Sequence, residues 1–138
     1  MRIEEIKADI GKKTLRAMNM AAPKFKELVD YTIVFKFYSD YSPVQYNRTG
    51  IFGDSGFNEP AFPVGIGAYA VVGAKDKGGH SFKPGSDWND ARVFAESMSG
   101  GHGGLPSPQS GDMWGHILQN IGVQYKPIIV SCLAAVGL

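Results

Sequence analysis

The chain has 138 residues, 43% of them hydrophobic and 12% aromatic, which is enough apolar side chain to bury a core and excludes disorder throughout. Fourteen lysines and arginines against thirteen acidic residues leave a net charge of +1, so no global field advertises nucleic acid or an anionic membrane as a partner. The single cysteine, Cys132, cannot form an internal disulfide, and folding therefore does not depend on an oxidising compartment.

The opening segment MRIEEIKADIGKK is charged, unlike a secretory signal peptide, and no apolar run approaches the ~20 residues of a membrane span. Ile3, Ile6, Ile10, Thr14, Ala17, Met18 and Ala21 recur at helical spacing, with most of the charged residues on the other side, and predict an amphipathic helix despite Gly11. Pro23 is expected to kink this helix or to open a second one, whose apolar face continues through Phe25, Leu28, Val29 and Thr32. The segment YTIVFKFY has β-branched and aromatic residues that favour a strand. Its continuity with Lys24 to Asp30 favours a helix to about Ser39, ended before Pro43.

IFGDSGFNEP, Ile51 to Pro60, reads as turn-rich. FPVGIGAYAVVGAK alternates Val64, Ile66, Ala68, Ala70 and Val72 with glycines and other residues. This predicts a strand or a pair of strands with Pro63 at a start or an edge, its glycines allowing close approach of another backbone or of a large side chain such as Trp88 or Trp114. Ser86 or Asp87 is placed to cap a short helix carrying Trp88, Ala91, Phe94, Ala95 and Met98. SGGHGGLPSPQSGD reads as a flexible loop. Asp112 is placed to cap a helix through Met113, Trp114, Ile117, Leu118 and Ile121 that Gly122 stops, and KPIIVSCLAAVGL fits a helix from Pro127 or a buried strand. Together these elements predict one α+β domain over 1–138: a helical region (1–40), turn and sheet (41–75), a loop-rich insert with a short helix (76–112) and a C-terminal element (113–138). The long amphipathic helix packs on a small, mostly antiparallel sheet.

The candidate chemistry is sparse. His80, His102, His116 and Cys132 show no short metal-ligand spacing, and no metal or cofactor is expected. Ser55 in GDSGF lacks a partner base and a strand-turn-helix setting, so an ordinary turn serine is the reading, and Cys132 lies in an apolar run where a thiol is inert. GIGAYAVVG lacks the lysine of a phosphate-binding loop. The aromatic stripe Phe35, Phe37, Tyr38, Tyr41, Tyr46 and Phe52 carries only Lys36 and Arg48, which suits a core and a subunit interface better than a base-stacking surface.

The segment YSDYSPVQYNRTGIF after a long helix resembles the small neck, head-to-tail connector and tail-completion proteins of tailed bacteriophages. The matching positions are Tyr41, Pro43, Tyr46, Arg48, Thr49, Gly50 and Ile51, and GGHGGLPSPQSGDMWGHIL is similar to a loop before the last helix in some of those proteins. The resemblance implies a non-enzymatic virion protein, assembled in the host cytoplasm as a homo-oligomeric ring, commonly sixfold, that meets neighbouring neck, portal or tail proteins. It implies neither a membrane nor sequence-specific nucleic acid as partner. Interface residues expected on this basis are Tyr41, Pro43, Tyr46, Arg48, Thr49, Phe52, His80, Phe82, His102, Leu105 and Trp114, with the loops Lys77 to Phe82 and Ser99 to Asp112 ordering on docking. Arg48 is expected to bridge to a carboxylate or to a neighbour's backbone. The chain departs from the simpler members in its long Gly/Pro insert after Met98. Two other classes fit the residues less fully: a small module that binds nucleic acid or peptide through its Tyr/Phe/Arg surface, and a small histidine-dependent hydrolase.

Overall fold

A computed structural model describes residues 2–38, 51–78, 82, 84–87, 89–99, 101–102, 105–106 and 113–138. The architecture is α+β: a long helix α1 (Ile3–Ile33) carries a β-hairpin on one side and a second long helix, α3 (Met113–Ala135), on another. Between them in the chain lie α2 (Asp90–Ser99) and a two-residue ladder of β5 (Gly101–His102) with β6 (Leu105–Pro106). That ladder places regular structure inside a segment whose glycine density predicts a loop.

Helix α1 begins where the Arg2 amide donates to Glu5 Oε2 at 3.4 Å, one half of a capping box. It runs through Pro23 without dividing, and its last turn passes directly into a π-helical turn, Val34–Tyr38. YTIVFKFY is thus helical. Pro23 is exposed, and the missing amide hydrogen leaves only the Asn19 carbonyl without its helical donor, a group that water can reach.

Helix α3 crosses two predicted barriers. Gly122 costs only about 1 kcal/mol against alanine inside a helix, and both Gly122 and Pro127 lie on the exposed side while Ile117, Ile121, Ile128 and Cys132 pack inward. Packing therefore outweighs propensity, and the predicted stop at Gly122 is not observed. The real terminus is a Schellman motif: Leu138 N–H donates to the Leu133 carbonyl at 2.9 Å and Gly137 N–H to the Ala134 carbonyl at 3.1 Å, with Gly137 at φ = +86°.

The two long helices run antiparallel. Ala17, Ala21 and Phe25 meet Val136 and Cys132 at one end, and Val29 and Ile33 meet Met113, Ile117 and Met98 at the other. The four-residue spacing on both helices is the ridge that interdigitates in such packing. Beside the Val29–Ile33 cluster, Thr32, buried on α1, donates its hydroxyl to the Leu28 carbonyl at 2.7 Å and accepts from Asn120 Nδ2 of α3 at 2.9 Å. Phe25 also stacks on Tyr125, centroids 5.8 Å apart. Helix α2 is capped by Asn89, whose Oδ1 accepts from the Arg92 amide at 2.9 Å, rather than by Ser86 or Asp87. It buries Val93, Ser97 and Met98, while Ala91 and Ala95 of the expected face are exposed.

Candidate interaction surface

The hairpin is built from β1 (Gly56–Asn58), β2 (Phe62–Val64), β3 (Gly67–Tyr69) and β4 (Val72–Ala74). β1 pairs with β4 and β2 with β3, both antiparallel, so the four short strands form two arms of one folded ribbon. From Asn58↔Val72 to Phe62↔Tyr69 the register slips by one residue, because Glu59, Pro60 and Ala61 face only Ala70 and Val71. This is a β-bulge at a proline. Strand β1 arises within the stretch that reads as turns. At the tip, Val64 faces Gly67 across a two-residue loop with Gly65 at φ = +60°, the geometry of a type II′ turn. In such a loop Val64 and Gly67 exchange hydrogen bonds, so position 63 points outward, where proline has no ladder bond to lose.

Three fastenings lay the ribbon along α1. At its root the Gly56 amide donates to Asp30 Oδ1 at 2.7 Å, and Lys77 Nζ donates to the Gly56 carbonyl at 2.9 Å. At the bulge, the Ala61 amide donates to Asn19 Oδ1 at 2.8 Å. At the tip, the Gly65 carbonyl and Ile66 Cα lie against Gly11. From Asp30 to Gly11 the helix rises roughly 28 Å at 1.5 Å per residue. Gly56 to Gly65 spans roughly 30 Å at 3.3 Å per residue, so ribbon and helix match in length.

The root is polar. Lys26 lies 2.7 Å from Asp30 and 3.6 Å from Asp54, and Lys77 lies 3.8 Å from Asp54. The hydrogen bond to Asp30 is the main cause that raises the Lys26 ammonium above its ordinary pKa of 10.5, with burial opposing it and the charges of Asp30 and Asp54 adding to it. Ser55 is 2% exposed, and its carbonyl accepts from the Lys75 amide at 2.9 Å. GDSGF is thereby an anchoring segment of the ribbon. The cross-strand partner that needs a glycine here is Phe57, because a Cβ on Gly73 would lie 3.1 Å from its ring. Trp114 is exposed, and Trp88 lies outside the described residues.

Beyond the root the ribbon is apolar and open. Phe62 and Tyr69 face each other across β2 and β3, their rings 5.4 Å apart, and together with Val64 and Ile66 each remains half or more exposed. Helix α3 is equally open: Leu118 and Val123 are 66% exposed, Tyr125 and Val130 54%, and Met113, Ile117 and Cys132 are its buried residues among those described. From Met113 to Leu138 the one acidic or basic residue apart from His116 is Lys126. Tyr31 and Phe35 form a further exposed stacked pair at the end of α1, with Lys36 5.5 Å above the Phe35 ring.

Of the residues expected at an interface, Trp114 is 40% exposed on α3 and Phe82 36% exposed between β4 and α2. His102 and Leu105 face each other across the β5–β6 ladder, and the Phe52 backbone lies in a short 3₁₀ turn, Ile51–Asp54. Tyr41, Pro43, Tyr46, Arg48, Thr49 and His80 lie outside the described residues. Phe62, Tyr69, Val123 and Val130 were not singled out by spacing, and Val64 was marked only as a strand position. The signal that marks them is the absence of any charged residue from Phe62 to Ala74, combined with the near absence of charge on α3.

Cys132 is 2% exposed inside the α1–α3 contact, as its apolar run predicts. Among the described residues no group of three or more His, Cys, Asp and Glu side chains converges as for a metal ion, and no helix is long and apolar enough to cross a membrane. A shallow groove lined by Glu4, Lys7, Ala8, Gly65 and Ile66 runs between the first turns of α1 and the ribbon tip. Comparison of the chain with protein-family models, with curated proteins and with solved structures returned no match.

Proposed function

We propose that this chain is a structural subunit of a tailed-phage virion, a non-enzymatic protein that assembles into a ring in the neck, head-to-tail connector or tail-completion region. The observation that carries the reading is the apolar surface left open on both sides of α1, with Phe62, Val64, Ile66 and Tyr69 on the ribbon and Leu118, Val123 and Val130 on α3. Surface of this composition on more than one element is what copies of a chain bury between them. The YSDYSPVQYNRTGIF segment supplies the phage assignment by resemblance, and with it a ring of six copies, neighbouring portal, neck or tail proteins as partners, and assembly in the host cytoplasm before residence in the virion.

The test is sedimentation velocity of the purified chain from about 10 μM to about 1 mM, with electron imaging of the largest species. Closed rings are the expected result. A chain that stays monomeric over the whole range overturns the reading, and steep salt-dependent binding of single-stranded DNA by that monomer would favour a nucleic-acid module built on Tyr31, Phe35 and Lys36.

A further inference from the structure

We infer that the ring contact is heterologous, with the Phe62–Val64–Tyr69 face of the ribbon of one copy seated on the Val123–Lys126–Val130 face of α3 of the next. The inference rests on the ring reading above and names the surfaces that reading leaves open.

Three observations select this pairing. The first is charge. The ribbon face carries no charged residue, so its partner must bring few, because an unpaired charge buried in a contact is strongly unfavourable. The outer side of α1 exposes Asp9, Arg16, Lys24 and Glu27 and does not qualify. The outer face of α3 presents Val123 and Val130 two turns apart with Lys126 between them, beside Gly122, whose Cβ position is open space.

The second is the lysine itself. Among the described residues the Lys126 ammonium has no ion pair, hydrogen bond or ring contact, whereas those of Lys36 and Lys75 lie 5.5 Å and 5.0 Å above the rings of Phe35 and Phe57. The Phe62–Tyr69 ring pair offers Lys126 the same environment across the contact.

The third is the proline. Pro63 removes a donor from the outward side of β2, so the ribbon is a poor template for strand addition and presents its side-chain face instead.

The area sets the expected strength. An aromatic side chain buries about 150–250 Å² when fully covered, so the half-exposed Phe62 and Tyr69 together with Val64 offer roughly 300 Å². Val123, Val130 and the Lys126 stem offer a similar amount. A total near 600 Å² is about half of the ~1,200 Å² at which specific interfaces become stable. A single contact is therefore weak, and assembly depends on concentration and on closure, since two different patches on each copy generate a ring or a filament.

Tyr69→Glu and Val130→Glu test this, both at exposed positions, with circular dichroism and the thermal midpoint confirming that each variant folds. Phe62→Ser and Val123→Gln replace them if either does not. Each variant alone is expected to be monomeric at concentrations where the parent chain assembles. Mixed in equal amounts they are expected to form nothing larger than a weak heterodimer, because each supplies the one patch the other lacks and no ring can close. If Val130→Glu or Tyr69→Glu alone assembles like the parent, or the mixture forms the parent's rings, the pairing is wrong and the ring stands. If the parent itself is monomeric throughout, the ring reading fails first and takes this pairing with it.

Discussion

Gly56→Ala is the sharpest test of how the ribbon is held. A Cβ at this position would lie 2.6 Å from Asp30 Oδ1 and 2.9 Å from the Lys26 carbonyl. Asp30 is a side chain and can rotate away, but the Lys26 carbonyl belongs to α1 and is fixed by the helix. Moving Asp30 abandons its hydrogen bond from the Gly56 amide and its 2.7 Å pair with Lys26. A hydrogen bond to a charged group contributes about 1.5–3 kcal/mol, and the strand must also retreat from the helix to clear the carbonyl, so the expected loss is about 2–4 kcal/mol. Urea denaturation followed by circular dichroism measures it as a lower midpoint at unchanged slope. In a thermal scan the same loss appears as a fall of roughly 10 °C for a chain of this size. A loss below about 1 kcal/mol would refute the argument, since it would mean that β1 does not press on α1 at Gly56.

The other glycines and polar contacts make contrasting predictions. Gly122→Ala meets open space and Gly11→Ala meets the Gly65 carbonyl at an ordinary 3.6 Å, so each should stabilise by about 0.5–1 kcal/mol in the same urea titration through helix propensity. Thr32→Val keeps the volume of a buried side chain but deprives Asn120 Nδ2 of its acceptor, and should cost about 1–2 kcal/mol, whereas the paired change with Asn120→Leu should cost less than the sum. The raised pKa of Lys26 stabilises the fold fully below its ordinary value of 10.5, and that contribution disappears as pH climbs through the higher folded value. Stability of the parent chain should therefore fall at the alkaline end more steeply than that of Lys26→Met, measured by urea midpoints from neutral pH upward.

How much of this was readable beforehand varies by element, and the reasons are physical. Ala17, Ala21, Phe25, Val29 and Thr32 of the predicted stripe are buried as the spacing implies, whereas Ile3 and Ile6 at its start are exposed because the contact with α3 begins only at Ala17. YTIVFKFY resolves to helix because the helix already running through Lys24 to Asp30 makes each added turn cheap, whatever the residues' preference for strands. Gly122 misleads because a glycine stops a helix only where nothing beyond it packs. Here Ile128, Cys132 and Val136 continue the contact with α1. Strand β1 is hidden in IFGDSGFNEP because its stability comes from outside the segment, from Asp30, Lys77 and β4.

The interaction surface was less legible, for a related reason. Periodicity locates a buried face only when the opposite face is polar, and α3 has almost no charge on any side. Its sequence fits a central helix covered all round, yet in this chain α1 covers one side only and leaves Leu118, Val123 and Val130 facing outward. The ribbon repeats the pattern. Asn19 and Asp30 of α1 hold the ribbon by accepting from its backbone amides, and Val72 and Ala74 of β4 pack against the helical core, while Phe62, Val64 and Tyr69 stay free. The root of the ribbon thus belongs to the apolar core, whereas its outer arm leaves an apolar face exposed, and such a face marks a binding surface. In the proposed ring those side chains are covered by another copy, and burial at about 25 cal/mol per Å² is gained between subunits. The fastenings at Asn19 and Asp30 serve that proposed contact by holding the ribbon in one shape before a second copy meets it.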